Sequence, residues 1–225
     1  MKVTVITSQF PYLSETFIVD QIVGILKLGH QVRIISVSHP DMKLAQPEVQ
    51  RYDLLKITRY LQPDQKGRVA ELLFCVVAFI KLLLKYPGRA PKLCSSCLPF
   101  STPKRIFVRL LGGLHSDNPD VVHCHFGPNG ELVTRAREVL GGSFAVVTSF
   151  WGCDMGTSSD PNRYSDLFRL GDSFVANTSF TKKRITELGG APNRTSIMPI
   201  GVDLSKIPFT NRLVPLATDR LRLLT

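Results

Sequence analysis

No GxGxxG occurs anywhere in the 225 residues, which removes the main support for a dinucleotide-binding reading. Nor is any apolar run long enough to span a bilayer. The most hydrophobic stretch has an uncharged core from Leu72 to Ile80, nine residues between Glu71 and Lys81, against the roughly 20 that a spanning helix needs. The first apolar segment begins at once and is strand-like, unlike the hydrophobic centre of a secretory signal. Cysteine is sparse and odd in number, with Cys75, Cys94, Cys97, Cys124 and Cys153, and a reducing, cytoplasmic setting fits. Cys94 and Cys97 form one CxxC with no second pair and no nearby histidine, so they are read as plain loop thiols and no metal is expected. Acidic residues are also short: 18 Asp and Glu against 28 Lys and Arg give a net charge of +10, which favours anionic partners such as nucleotides, phosphates or lipid headgroups. The bases are not interleaved with stacking aromatics, and no helix-turn-helix or zinc-finger spacing occurs, so no nucleic acid partner is expected.

What is present is an alternation of strands and helices. Val3, Val5 and Ile6 in "KVTVIT" read as a buried parallel strand. In "ETFIVDQIVGILKLG" the residues Ile18, Ile22, Ile25 and Leu26 share one helical face, and Gly29 stops the helix. Between them, Ser14 is placed as N-cap, Glu15 suits the positive end of the helix dipole, and Leu13 with Ile18 is placed as a hydrophobic staple. "HQVRIISVS" reads as a second strand. From about residue 40 to 116 a helical insertion is expected, chiefly "MKLAQPEVQRYDLLKITRYL" and "DQKGRVAELLFCVVAFIKLLLKYPG". The second piece is either a core helix or one lying on an anionic membrane surface, since Lys81, Lys85, Arg89 and Lys92 follow its apolar run. Pro87, Pro91, Pro99 and Pro103 predict a loop after it.

Regular alternation then resumes. "PDVVHCHF", "GELVTRAREVLGG" and "FAVVTSF" make a strand, helix, strand unit; a helix through "PNRYSDLFRLG" capped by Asp160 with Pro161 at its first position follows, then strand "SFVANT", helix "FTKKRITELGG" and strand "SIMPI". About six parallel strands with helical crossovers predict an α/β, doubly wound Rossmann-like sheet, whose ligand edge collects Ser8, His125, Phe150, Asn177 and Gly201. Residues 1–205 are expected to form this domain. Residues 206–225 read as a linker and the first strand of a further domain that is absent.

Three polar clusters fall on those strand ends: "HCHFGPNG", "TSFWGCDMG" and "PIGVD". His125 precedes Gly127, Asn129 and Gly130, so an imidazole can stand beside exposed amides, with burial in the core as the open alternative for His123 and His125. Trp151 and Asp154 offer an apolar plate and a carboxylate, a pairing that can grip the C-H face and hydroxyls of a sugar.

Together "FPYLSETFIVDQI", "HCHFGPNG", "TSFWGCD", "YSDLFRLGDSFVANTSFTKKRITELG" and "IMPIGVDLSK" resemble, in order and spacing, the N-terminal, acceptor-side domain of GT-B glycosyltransferases of the family 4 type that build bacterial exopolysaccharide, O-antigen or colanic acid. The resemblance implies two Rossmann-like domains, a nucleotide-sugar donor held mainly by the C-terminal one, and transfer with retention to a glycan or lipid-linked acceptor, with no metal or other cofactor. It makes His125 and Asp154 the catalytic candidates. Acceptor or substrate contacts are expected from Ser14, Glu15, Thr16, His125, Phe126, Gly127, Gly130, Trp151, Gly152, Asp154, Asn177 and Ser179, with Gly201 and Asp203 marking the run towards the hinge. The family commonly places a histidine where this chain has Trp151, and an indole donates one hydrogen bond but cannot act as acid or base. The expected setting is cytoplasmic, peripheral at the inner membrane face. Two other readings are open: a non-catalytic acceptor- or partner-binding module, completed by a separate donor-domain partner or not at all, and another enzyme of the same architecture, such as a nucleotide-sugar epimerase.

Overall fold

The β-branched run after Met1 forms a strand with both faces covered, as its continuous apolar pattern requires. A computed structural model describes residues 1–40, 45–62, 67–155, 162–202 and 204. In chain order the elements are β1 (Lys2–Gln9), α1 (Thr16–Lys27), β2 (Gln31–Ser38), α2 (Pro47–Arg51), β3 (Thr58–Tyr60), α3 (Arg68–Lys85), α4 (Ala90–Cys97), α5 (Thr102–Asp117), β4 (Val121–His125), α6 (Gly127–Leu140), β5 (Ala145–Phe150), α7 (Ser165–Leu170), β6 (Ser173–Ala176), α8 (Ser179–Glu187) and β7 (Thr195–Ile197). All pairings are parallel, in the order β3-β2-β1-β4-β5-β6-β7. The order reverses between β1 and β4, which is where a doubly wound sheet opens its ligand crevice.

The pleat sends alternate residues to two cores. Val3, Val5, Val32 and Ile34 bury against Ile18, Ile22 and Val23 of α1, whereas Ile6, Ile35, Val122, Cys124 and Val146 bury against α5 and α6. Each such side chain removed from water contributes about 1.5–3 kcal/mol. A third cluster beds Phe150 and Phe174 against Leu167 and Phe168 of α7 and Ile185 of α8. The helices after the switch thus lie on the face opposite α1.

The structure corrects several expectations. The sheet has seven strands among the described residues, not six, because β3 lies inside the stretch read as helical. Among its described residues, "MKLAQPEVQRYDLLKITRYL" contributes the short α2 and a 3₁₀ turn at Leu54–Ile57 before turning extended. The proline-rich segment is mostly helix: Pro91 and Pro103 occupy first-turn positions of α4 and α5, where a missing N–H costs nothing. Cys94 and Cys97 are accordingly helix thiols, Cys97 buried. Ser14 does not cap α1: the helix starts at Thr16, Glu15 holds the cap position with no side-chain cap bond, and Leu13 is exposed, so the staple is not formed. The helix before β6 is shorter than expected, starting at Ser165; Asp160 and Pro161, and the linker and strand expected at 206–225, lie outside the described residues.

Candidate functional site

At the carboxyl edge of the sheet, side chains from β1, β4, β5 and β6 converge beside the amino end of α1. His125 ends β4 and is fully buried. Its ring stacks at 4.7 Å on His123 and at 5.9 Å, 12° from parallel, on Trp151. Phe17, in the first turn of α1, closes the row at 4.3 Å from Trp151. The indole Nε1–H donates to His125 Nδ1 at 3.3 Å. Indole is a donor only, so Nδ1 accepts and the imidazole proton sits on Nε2, a buried group with no partner among the described residues. His123 Nε2 meets Ser149 Oγ at 2.8 Å. Burial pushes His123 down to about 4 and, with His123 beside it, holds His125 well below the usual imidazole range. Both rings are therefore neutral at pH 7, and the burial left open for them in the sequence is what the structure shows. His125 thus lies fully buried between the His123 and Trp151 rings.

Asp154 is also buried, and both of its oxygens are engaged. Oδ1 accepts the backbone N–H groups of Trp151 at 3.0 Å and Gly152 at 3.1 Å, and Oδ2 accepts that of Gly127 at 2.9 Å. One carboxylate thus ties the turn after β5 to the start of α6. Its pKa is raised by burial, with those amides pulling the other way. Tyr164 Oη donates to the Asp154 carbonyl at 3.0 Å, and the Tyr164 and Phe150 rings close over Gly127. Phe126, between β4 and α6, has φ 72° and ψ 142°, a backbone region costly for any residue with a Cβ. It is held by its N–H to Ser149 O at 2.8 Å. Asn129 Nδ2 donates to His125 O at 2.7 Å and Ser8 Oγ at 3.1 Å, joining α6 to β1. Gly130 sits against Thr148. Asn177 donates to Trp151 O at 3.4 Å and accepts from Thr181 Oγ1 at 2.7 Å, beside the capping hydroxyl of Thr178.

The side chains left facing outward are Ser14, Thr16 and Ser179, with Trp151, Gly152, Phe126 and Asn177 half-buried. Gly201 is exposed after β7, and Asp203 is outside the described residues. Phe17, Ser149 and the linking role of Asn129 were missed by sequence reasoning. Phe17 carried a signal, because it is a large aromatic adjacent to Ile18 and off the buried α1 stripe. Among the described residues no three His, Cys, Asp or Glu side chains cluster as a metal site would require.

Glu15 is the ionisable group that matters at this rim. Half-buried before α1, it is pushed up to about 7 by burial. A carboxyl raised in the fold adds stability below its unfolded value near 4.5 and loses it as pH rises through about 7. Glu15→Gln is therefore expected to be more stable than the parent at pH 8 by about 1–2 kcal/mol after solvent screening, and equal to it below about pH 4.5. Urea midpoints of both proteins across that range check this. The buried histidines act in the opposite sense, so the difference between the two proteins isolates Glu15; a constant difference would remove it from the buried rim.

The seven-stranded parallel sheet with helices on both faces defines an α/β, Rossmann-like domain. The chain belongs to Glycosyltransferase Family 4, whose sequence pattern matches residues 14–206. WcaL of Salmonella typhimurium, described as a colanic acid biosynthesis glycosyltransferase, is 29% identical over 95% of this chain and 53% of its own length. The amylovoran biosynthesis glycosyltransferase AmsK of Erwinia amylovora is 26% identical over 92% of this chain and 52% of its own. The chain thus spans about half the length of the curated relatives it matches. Anabaena HepE in complex with UDP-glucose shares the fold, with a TM-score of 0.59 at 9% identity over 94% of this chain and 47% of that one.

Proposed function

We propose that the chain is the acceptor-side half of a retaining glycosyltransferase that moves a sugar from a nucleotide-sugar to a glycan or lipid-linked acceptor in cell-surface polysaccharide synthesis. The observation that carries this reading is the meeting of Glu15, Phe17, Trp151 and Asn177 at one sheet edge beside the open first turn of α1. Those first-turn amides suit a diphosphate, and the Phe17 and Trp151 rings form an aromatic wall for a sugar face. His125 is fully enclosed, both Asp154 oxygens are held by backbone amides and an indole cannot move a proton, whereas Glu15 is a half-buried rim carboxyl raised to about 7 and suited to exchange a proton with an acceptor hydroxyl. The donor-binding half, supplied by the same or a separate chain, would hold the nucleotide-sugar across the cleft from residues 1–205, with Gly201 and Asp203 near the hinge. The donor is a substrate, and the reading calls for no resident cofactor or metal. It includes a cytoplasmic setting with peripheral attachment to the inner membrane face.

The test is transfer of labelled sugar from a panel of nucleotide-sugars by this chain joined to a donor-binding half, with the product's anomeric configuration read by NMR. Retention is expected; an inverted product overturns it. Replacing both Ser14 and Thr16 with alanine is expected to lower kcat/KM about ten-fold by removing two rim hydroxyls, and unchanged kinetics would take the loop out of the site. Trp151, standing where the family commonly has histidine, favours a second reading as an acceptor-binding module. Acceptor binding by NMR without turnover in any pairing would select it.

A further inference from the structure

Helix α3 is apolar on two sides, and only one of them is used. Cys75, Phe79 and Leu82 face the core. On the opposite side Val69, Leu73, Val77, Ile80 and Leu84 recur at helical spacing and are between 48% and 78% exposed. The stripe runs roughly 22 Å along the helix at its 1.5 Å rise. A soluble surface scatters exposed apolar residues singly, and a continuous row of this length marks an interaction face.

The cations are arranged to match. Exposed Lys81 and Lys85 line one flank of the stripe. Beyond them α3 and α5 enclose a groove of about 430 Å³ lined by Phe74, Val77 and Gly112, with Arg109 and Lys81 at its rim. The Arg109 guanidinium lies 4.9 Å from the Phe74 ring centroid. Among the described residues Arg59 of the same groove is paired with Asp117 and Arg105 with Glu71, whereas no carboxylate pairs with Lys81 or Arg109.

We infer that this face of α3 docks on an anionic lipid bilayer, the stripe entering the headgroup boundary and Lys81, Lys85 and Arg109 meeting lipid phosphates. A helix lying in the interface buries an apolar side and keeps its bases at headgroup level. No helix among the described residues is long and apolar enough to cross the membrane, so the contact is a surface one. A second copy fits less well, since a two-fold pairing through this face sets like charges against each other. The described chain also leaves the sheet beside β7, at the edge opposite β3, six strand spacings or roughly 29 Å across. The inference rests on the peripheral attachment proposed above and supplies its surface.

Co-flotation tests it, with vesicles of phosphatidylcholine alone and of phosphatidylcholine with phosphatidylglycerol. The protein is expected to float with the anionic vesicles, and less so as salt is raised. Leu73→Glu with Val77→Glu, both at exposed positions, should lower the bound fraction constant by about a hundred-fold, and Lys81→Gln with Arg109→Gln by roughly ten-fold, with melting curves confirming that both variants fold. Protein that stays unbound with both vesicles, or a Leu73→Glu/Val77→Glu variant that floats like the parent, overturns the inference. So does a dimer, seen by light scattering without lipid, that the same variant dissociates. Neither donor nor acceptor is present in the assay, so docking can fail while transfer survives, and transfer can fail while docking survives.

Discussion

Replacing Asp154 with alanine is expected to remove about 3–5 kcal/mol of folding stability, read from urea unfolding at constant m-value. The change strands the amides of Gly127, Trp151 and Gly152, which share this one carboxylate, the first in a buried bond and the other two in part-buried ones. An amide–carboxylate bond is worth about 1.5–3 kcal/mol, and an unmet buried donor costs a similar amount. The carboxylate's own burial, which raises its pKa, offsets part of this. Against a typical total of about 5–15 kcal/mol, the loss would leave the variant marginal near 37 °C. Asp154→Asn should cost less. Its Oδ1 can keep the Trp151 and Gly152 bonds, while its NH₂ opposes the Gly127 N–H, giving about 1–3 kcal/mol. Equal stability of the alanine variant and the parent would mean that the turn is held by other means.

The second large effect is expected from Gly127→Ala. In an open helix this substitution stabilises by about 0.5–1 kcal/mol, but here the sign reverses. A Cβ at Gly127 would lie 2.5 Å from Tyr164 Cζ and 2.8 Å from Phe150 Cε1, both in rings of buried residues. Either the rings or the start of α6 must move, at about 2–3 kcal/mol, or a fall of roughly 4–12 °C in Tm for a chain of this size. Gly24→Ala in α1 is the control. Nothing stands within 4 Å of its Cβ position, so it should hold or raise Tm. A Gly127→Ala protein that melts with the Gly24→Ala control would show that the rings yield freely.

Much of the architecture was legible because buried parallel strands declare themselves. Val3 to Ile6, Val121 to Cys124 and Val146 to Phe150 are short, valine- and isoleucine-rich stretches between turns, and the α1 and α6 stripes follow the helical period. β3 left no such trace: three residues, Thr58–Tyr60, pair with β2 alone at the edge. The prolines at 91 and 103 misled because a proline that breaks a helix and one that opens it look alike in sequence, and only the position within the turn separates them. Ser14 is a good cap by type, yet the chain closes a turn from Glu15 N–H to Tyr12 O and begins its helix a residue later. At the site, the strand-end clusters were located by pattern, and their inward bonds were not. Whether Asp154 turns to a ligand or to three amides, and whether His125 faces out or stacks behind Trp151, depends on side chains brought together from four strands.

The place of β1 in the sheet carries a consequence for how the chain is made. β1 is flanked by β2 on one side and β4 on the other. The Lys2 N–H bonds the Asp120 carboxylate across 118 residues. During synthesis β1 and β2 can join early, but the second edge of β1 stays open until β4 has emerged. Until then its unpaired N–H and C=O groups are a template for stray strands. Assembly through so distant a partner is slow, and a chain halted short of β4 should aggregate where one carried past it folds.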